Sequence, residues 1–179
     1  CGLDPDPRVA QNPYLDEAKV GLGERIPWPD ATFDIVIADN VLEHLERPRE
    51  MFGEVRRVPK PGGTFLFKTP NRMHYVAQLS RLTPHAFHQF YIRLRNRASE
   101  DTFPTFYRAN SPPDVRAVGR DFGLEAVSFR HVGSRQEYRR MSAATYLPGI
   151  IHERVVDNTD LLARLRVSLM GELQRPAAA

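Results

Sequence analysis

Residues 29–45 read Pro-Asp-Ala-Thr-Phe-Asp-Ile-Val-Ile-Ala-Asp-Asn-Val-Leu-Glu-His-Leu. Residues 33–38 within this stretch form a short, almost wholly apolar run after a turn signal, which predicts a strand buried on both faces of a parallel sheet. The run ends abruptly in four polar residues, Asp39, Asn40, Glu43 and His44. Because ligands of open α/β sheets bind beyond the carboxyl ends of the strands, these side chains are the first candidates for a functional site.

The composition predicts one globular domain and excludes several classes of partner. The chain has 179 residues, 41% of them hydrophobic, and contains no apolar run of about 18 residues, so we expect no stable membrane insertion. The net charge of +3 comes from 25 basic and 22 acidic residues, which does not call for a nucleic-acid partner. The single cysteine, Cys1, fits a reducing cytoplasm. Since residue 1 is not methionine, we expect an N-terminally truncated chain.

Downstream of the opening stretch, the sequence predicts a strand, helix, strand unit. Apolar residues recur at helical spacing over about 47–58, and Pro48 suits the first helical turn. Residues 59–63, Pro-Lys-Pro-Gly-Gly, should end this helix in a turn. The aromatic and β-branched run 64–69 should then form the next parallel strand.

Upstream, two short strands are expected, over residues 1–4 and 18–22. Asp4 at the end of the first could accept hydrogen bonds from a ribose diol, or could simply belong to an Asp-Pro turn. Gly21-Leu22-Gly23 lacks a third glycine and a following helix, so it does not predict a dinucleotide-binding loop. We expect Trp28, which stands between two prolines, to be packed rather than to stack on a ligand.

The second half alternates helical and strand patterns. Helical, aromatic and basic segments over about 74–97 and an irregular aromatic loop over 101–110 predict a cover over the crevice. A helix should start at the Ser111 N-cap and reach Phe122. Further predicted elements are a strand over 124–131, a helical piece over 142–156 and a last strand over 165–173.

Four motifs together resemble a class I S-adenosylmethionine-dependent methyltransferase, of the branch similar to the ubiquinone and menaquinone biosynthesis methyltransferases. They are Gly-Leu-Asp-Pro-Asp at 2–6, Gly-Glu-Arg-Ile-Pro-Trp-Pro-Asp-Ala-Thr-Phe-Asp-Ile-Val at 23–36, Val-Leu-Glu-His-Leu at 41–45 and Glu-Val-Arg-Arg-Val-Pro-Lys-Pro-Gly-Gly-Thr-Phe at 54–65. The resemblance covers residues 1–71 closely, and its four motifs occur in the family's order.

The resemblance implies which residues bind the cofactor, S-adenosylmethionine. Asp4 matches the acidic residue that holds the ribose, and Leu22 and Gly23 match the pair beside the adenine. The family usually has aspartate at the position of Leu22, which reaches the adenine amino group, whereas leucine cannot. Asp39 and Asn40 match positions that line the methionine end, where their oxygens would lie near the sulfonium charge.

The resemblance also implies the fold, a Rossmann-like α/β fold whose mostly parallel sheet has an antiparallel last strand. Relative to the family, the first strand and its Gly-rich loop are missing before Cys1, so we expect this chain alone to bind the cofactor poorly. We expect a single, partial methyltransferase domain over 1–179, with the helical cover as an insertion at about 72–110.

The implied reaction is methyl transfer to a small-molecule or lipid-like acceptor. His44 is the candidate general base, although hydrogen bonds that hold it between a helix and a strand would also explain it. A catalytically inactive binding or regulatory domain is the alternative function. We expect no metal site, because His74, His85 and His88 lack a carboxylate or cysteine at a matching spacing. The acceptor and the oligomeric state stay open.

Overall fold

The computed structural model describes residues 1–74, 78, 103–133 and 154–177. Most of the predicted cover over about 72–110 lies outside the described residues, and so does most of the helix predicted over 142–156. The end of that helix is described, and residues 154–157 are helical. In the described part of the chain, no helix is both long and apolar enough to cross a membrane.

The described elements are six strands and two α-helices in an α/β order. The strands are β1 (Gly2–Asp4), β2 (Ala18–Val20), β3 (Phe33–Asp39), β4 (Pro59–Pro70), β5 (Glu125–Val132) and β6 (Ser168–Gln174), and the helices are α1 (Pro48–Arg57) and α2 (Pro112–Asp121). β1 and β2 pair in parallel as a small sheet, and the main sheet has the order β3-β4-β6-β5.

Strand direction in the main sheet agrees with the predicted fold. β3 runs parallel to β4, whereas β6 is antiparallel to both β4 and β5. The last strand of the chain is therefore the antiparallel one, which makes the main sheet mixed.

Both α-helices pack on one face of the main sheet. Phe52 of α1 and Phe65 of β4 are buried with their ring centroids 6.2 Å apart, and Phe67 stacks beside Phe65. The same cluster includes Val115 of α2 and Leu173 of β6. Burial of these apolar side chains is the main stabilising contribution to this half of the molecule.

The opposite face of the main sheet is open in the described part of the chain. Ile35 and Ile37 of β3 are 56% and 71% exposed, and Met170 of β6 is 43% exposed. The prediction that residues 33–38 are buried on both faces is therefore wrong here. The physical reason is that α1 and α2 both cover the other face, leaving every second residue of β3 without a packing partner.

Element ends agree with the sequence where a cap or a turn decides them. The Oγ of Ser111 accepts a hydrogen bond from the backbone N–H of Asp114, which confirms the predicted N-cap of α2. Gly123, directly after Phe122, has a φ of +66°. This left-handed conformation favours glycine and ends the helix as predicted.

Three strand boundaries differ from the prediction, and the first is the end of β2, at Val20 rather than at residue 22. β4 already begins at Pro59, because Phe33 pairs with Pro59 and Ile35 with Thr64, so that residues 60–63 bulge out of the ladder. Gly62 in this bulge has a φ of +81°. β6 begins at Ser168 because residues 160–165 form a 3₁₀ helix before it.

A polar clamp joins the loop after the small sheet to α1. The Arg57 guanidinium donates to the carbonyl oxygens of Ile26 and Trp28 at 2.9 and 2.8 Å, and Glu54 accepts from the Ile26 N–H at 2.7 Å. The Trp28 ring is buried and lies 5.6 Å from the Phe33 ring in an edge-to-face arrangement. The prediction that Trp28 is packed is thus confirmed.

Candidate functional site

The five predicted cofactor-binding residues all follow the carboxyl ends of parallel strands. Asp4 is the last residue of β1, Leu22 and Gly23 come shortly after β2, Asp39 ends β3, and Asn40 follows it. This is the edge of an α/β sheet at which ligands bind. The predicted cofactor-binding residues therefore lie at or just after the carboxyl ends of strands in both sheets.

Asp4 divides its carboxylate between the chain and solvent. Its Oδ1 accepts a hydrogen bond from the backbone N–H of Asp6 at 2.8 Å, which closes a turn. Its Oδ2 makes no hydrogen bond within the described residues, and the side chain is exposed. The turn role therefore occupies one oxygen and leaves the other available to a ligand donor.

Leu22 and Gly23 form a short apolar surface after β2. Leu22 is 57% exposed. A Cβ atom on Gly23 would lie only 3.3 Å from the Met51 sulfur of α1. Glycine here lets the loop approach α1 closely.

Asp39 and Asn40 form a polar cluster with Lys68. The Lys68 ammonium lies 2.8 Å from Asp39 Oδ1, and Asn40 Nδ2 donates to the same oxygen at 2.9 Å. Asn40 has a left-handed φ of 55°, and its backbone N–H donates to the Lys68 carbonyl oxygen at 2.8 Å. The charge of Asp39 is thus already paired, and Lys68 brings a cation to the same edge.

His44 has a defined tautomer. It ends a 3₁₀ turn of residues 42–44, and its Nδ1 lies 2.8 Å from the carbonyl oxygen of Pro104. Because a carbonyl oxygen can only accept, Nδ1 carries the proton, and in the neutral imidazole Nε2 is the basic nitrogen. The ring also meets Phe103 edge to face at 6.0 Å. Phe103 and Pro104 belong to the irregular aromatic loop predicted over 101–110.

Beside His44, Glu43 lies in a buried polar network. Its side chain is only 5% exposed, its Oε2 accepts from the Thr69 hydroxyl at 3.0 Å, and its Oε1 lies 3.9 Å from His44 Nε2. Asn110 in turn donates to the Thr69 oxygen. Burial raises the pKa of the Glu43 carboxyl above its ordinary value, against the opposing effects of its hydrogen bonds and of His44.

Sequence reasoning named Glu43 only as one of four polar candidates after β3 and did not single out Lys68, Thr69 or Asn110. Glu43 stood inside the recognised motif, and Lys68 and Thr69 are polar residues near the carboxyl end of the next parallel strand, a position that already indicates a site. Their mutual contacts depend on strand register and on the return of residues 103–110 to β4, which no local pattern reveals.

The protein-family comparison matches the first part of the chain to one kind of domain. The profile described as the methyltransferase domain matches residues 1–67, which include β1 to β3, α1 and most of β4. The matched region contains all the predicted site residues. Over these 67 of its 179 residues, the chain is similar to the methyltransferase domain family.

Two curated relatives indicate the cofactor. The Mycolicibacterium smegmatis protein named "Probable S-adenosylmethionine-dependent methyltransferase" is 34% identical over 152 residues, which are 82% of this chain and 57% of that protein. The ubiquinone biosynthesis O-methyltransferase of Methylococcus capsulatus is 30% identical over 101 residues, which are 56% of this chain and 39% of that enzyme. The chain thus spans about half the length of these relatives, of which the first is named as S-adenosylmethionine-dependent and the second as an O-methyltransferase.

A solved structure supports the fold independently. The S-adenosylmethionine-dependent methyltransferase of Mesorhizobium loti matches with a TM-score of 0.58 at 15% identity, covering 97% of this chain and 79% of that one. At such low identity the match concerns the fold alone. It agrees with the Rossmann-like methyltransferase fold predicted from the sequence.

Proposed function

We propose that this protein transfers a methyl group from S-adenosylmethionine to a small-molecule or lipid-like acceptor. The observation that carries the proposal is the family match over residues 1–67, in which Asp4, Leu22, Gly23, Asp39 and Asn40 all follow the carboxyl ends of parallel strands. The exposed aromatic side chain of Phe103 beside His44 favours an acceptor with an apolar or aromatic part.

The residues present fit S-adenosylmethionine. Asp4 Oδ2 is available to the ribose hydroxyls, and the exposed Leu22 can cover a face of the adenine. Asp39 and Lys68 together offer an anion and a cation to the zwitterionic methionine end, next to the Asn40 side chain. Leu22 offers no acceptor to the adenine amino group, so the base would be held by packing.

When bound, S-adenosylmethionine supplies a methyl group on a positively charged sulfur, so the leaving group is already activated. Methyl transfer is an in-line displacement, for which alignment of the reacting atoms lowers the barrier most. We assign proton removal to His44. Its Nε2 would take the proton that the acceptor loses when it is methylated.

We propose that the complete protein has a further parallel strand, followed by a Gly-rich loop. In space, this strand would lie between β1 of the small sheet and β3 of the main sheet. Two features support this: the strands form two separate sheets, and β3 is an edge strand of the main sheet in the described part of the chain. This strand and loop would complete a single methyltransferase domain, with the helical insertion at about 72–110 as its cover. The complete protein carrying them is called the extended chain below.

A binding or regulatory domain without activity is the second candidate. The observation that favours it is Leu22, which stands where an acceptor for the adenine amino group is expected and is 57% exposed. Such a domain would bind the cofactor weakly or not at all.

Calorimetry separates the two. We expect the extended chain to bind S-adenosylmethionine with a dissociation constant in the micromolar range, about −8 kcal/mol, and residues 1–179 alone to bind far more weakly. Failure of the extended chain to bind would overturn the enzyme proposal and leave the second candidate.

A further inference from the structure

The carboxyl group of Glu43 is placed to act on the His44 imidazole. Its Oε1 lies 3.9 Å from His44 Nε2, the nitrogen that is basic when Nδ1–H is bound to the Pro104 carbonyl. The imidazole is therefore held between a carbonyl acceptor on one nitrogen and a carboxyl group near the other. Such an arrangement stabilises the imidazolium form.

The carboxyl group is itself held in place from two sides. Its Oε2 accepts from the Thr69 hydroxyl at 3.0 Å, and Asn110 donates to the Thr69 oxygen. The backbone carbonyl of Glu43 accepts from the N–H groups of Phe106 and Tyr107 at 2.7 and 3.3 Å. Strand β4 and the loop 103–110 thus fix the position of Glu43, and the same loop binds the other side of the His44 ring.

We propose that Glu43 is a positioning residue that works through His44. His44 accepts the proton, and the neighbouring Glu43 carboxyl group stabilises the protonated imidazole. This inference rests on the proposed role of His44 as general base. The acceptor's proton goes to His44 Nε2, and the Glu43 carboxylate balances the imidazolium charge. Glu43 does not touch the acceptor.

The electrostatic surroundings support such coupling. An ionised Glu43 is unfavourable in its buried site when alone, and a neighbouring imidazolium reduces that cost, so ionisation of one group and protonation of the other favour each other. The other charged group that acts on Glu43 is Asp39, and Lys68 already pairs with its carboxylate. His44 is therefore the charge partner that Glu43 faces directly.

Chemical modification tests the pair without a cofactor or an acceptor. Diethylpyrocarbonate reacts with the unprotonated imidazole nitrogen, and peptide mass spectrometry reports the rate at each histidine. At about pH 6.5 we expect His44 to react about threefold faster in Glu43→Gln than in the wild type, because two unit charges about 4 Å apart change the protonation equilibrium about fivefold even in a water-like dielectric, and about half of an ordinary imidazole is unprotonated at this pH. At about pH 9, where imidazole is neutral, the two rates should be equal.

The comparison of the two pH values separates charge from access. A variant that merely opened the structure would raise the His44 rate at both pH values. His131, which lies on β5 near Arg166 and away from Glu43, is the control within each sample and should change less than about twofold. Thr69→Val removes the hydrogen bond to Glu43 and should also raise the modification rate of His44 at about pH 6.5. It is the second variant for this test if Glu43→Gln does not fold.

Equal His44 rates at about pH 6.5 in the wild type and the folded variant would overturn the inference, and so would a parallel change at His131. Since the assay contains no S-adenosylmethionine, this result is independent of the calorimetric test. Loss of cofactor binding would overturn the proposed function alone, and unchanged modification rates would overturn the pair alone.

Discussion

The main sheet and the small sheet of this protein are stabilised in different ways. In the main sheet, α1, α2, β4 and β6 share a cluster of buried apolar side chains, several with no exposed surface. The strands β1 and β2 contain no buried residue, and polar contacts from Arg57 and Glu54 hold the loop that follows them. The proposed site would draw on both sheets, with His44, Asp39 and Asn40 from the firmly packed one and Asp4, Leu22 and Gly23 from the other.

The difference suggests a division of labour. Residues that we assign to chemistry lie on the half whose stability comes from apolar burial, which keeps them in fixed positions. Residues that we assign to the ribose and base lie on the half with less burial, whose local stability should be lower. The predictions below test that division from the largest expected effect to the smallest.

Truncation of Phe52 should have the largest effect. Phe52→Ala removes a fully buried ring from the main core and should lower the free energy of unfolding by about 3 to 5 kcal/mol, as measured by urea denaturation with far-ultraviolet circular dichroism. The matched change in the small sheet is Val20→Ala, which removes a half-exposed side chain and should cost less than about 0.5 kcal/mol. Similar costs for the two variants would contradict the division.

Removal of Arg57 should have an intermediate and local effect. Arg57→Ala loses the hydrogen bonds to the Ile26 and Trp28 carbonyls and should destabilise the clamp by about 1 to 3 kcal/mol. Trp28 is the single tryptophan of the chain, so its fluorescence reports this region alone. We expect its emission to shift to the red at urea concentrations at which circular dichroism still reports a folded main sheet.

Arg49→Ala is the control for Arg57→Ala. Arg49 makes an exposed ion pair with Asp121, and its loss should cost less than about 1 kcal/mol with no change in Trp28 emission. If both arginine variants moved the emission equally, the clamp would not hold the loop.

Leu22→Asp should have a smaller effect, on binding rather than on stability. In the extended chain we expect the new carboxylate to accept a hydrogen bond from the adenine amino group and to tighten S-adenosylmethionine binding by about 0.5 to 1.5 kcal/mol in calorimetry. Leu161→Asp places the same charge on another exposed leucine and should leave the affinity unchanged. Weaker binding by Leu22→Asp would place the adenine elsewhere.

The pH dependence of stability tests the buried carboxyl group of Glu43. Its raised pKa means that the folded state binds the proton more tightly than the unfolded state, so the associated stability is complete below the ordinary carboxyl pKa and is lost as the pH rises through the folded value. The free energy of unfolding of the wild type should therefore fall relative to that of Glu43→Gln between about pH 5 and about pH 8. Parallel urea midpoints across this range would show that burial does not disfavour ionisation of Glu43.

Local signals in the sequence predicted most of the fold. The apolar run that ends at Asp39, the Ser111 cap and the Gly123 terminator each act within a few residues, so the sequence contains the whole cause. The start of β6 at Ser168 could not be predicted, because pairing with β4 and β5 decides where the 3₁₀ helix before it ends. The exposure of Ile35 and Ile37 depends on which elements cover a face, which the pattern of one strand does not contain.

The candidate site was predictable by position but not by contact. The sequence predicted Asp4 and Asp39 at the carboxyl ends of their strands, where the structure has them. The pairing of Asp39 with Lys68 and the network of Glu43 with Thr69 join residues distant in sequence through the β3–β4 register. A single sequence without aligned relatives gives no access to such contacts.

The most direct test of the account measures S-adenosylmethionine binding by two single variants of the extended chain. One variant lacks an aspartate at the carboxyl end of a strand, and the other lacks an aspartate near the start of a strand. Asp4→Ala, at a carboxyl end, should weaken binding by about 1 to 3 kcal/mol through lost ribose hydrogen bonds. Asp34→Ala removes an exposed aspartate that pairs with Lys60 near the start of β3 and should leave the affinity unchanged. An unchanged affinity for Asp4→Ala, or an equal loss for both variants, would contradict a cofactor site at the carboxyl ends of these strands.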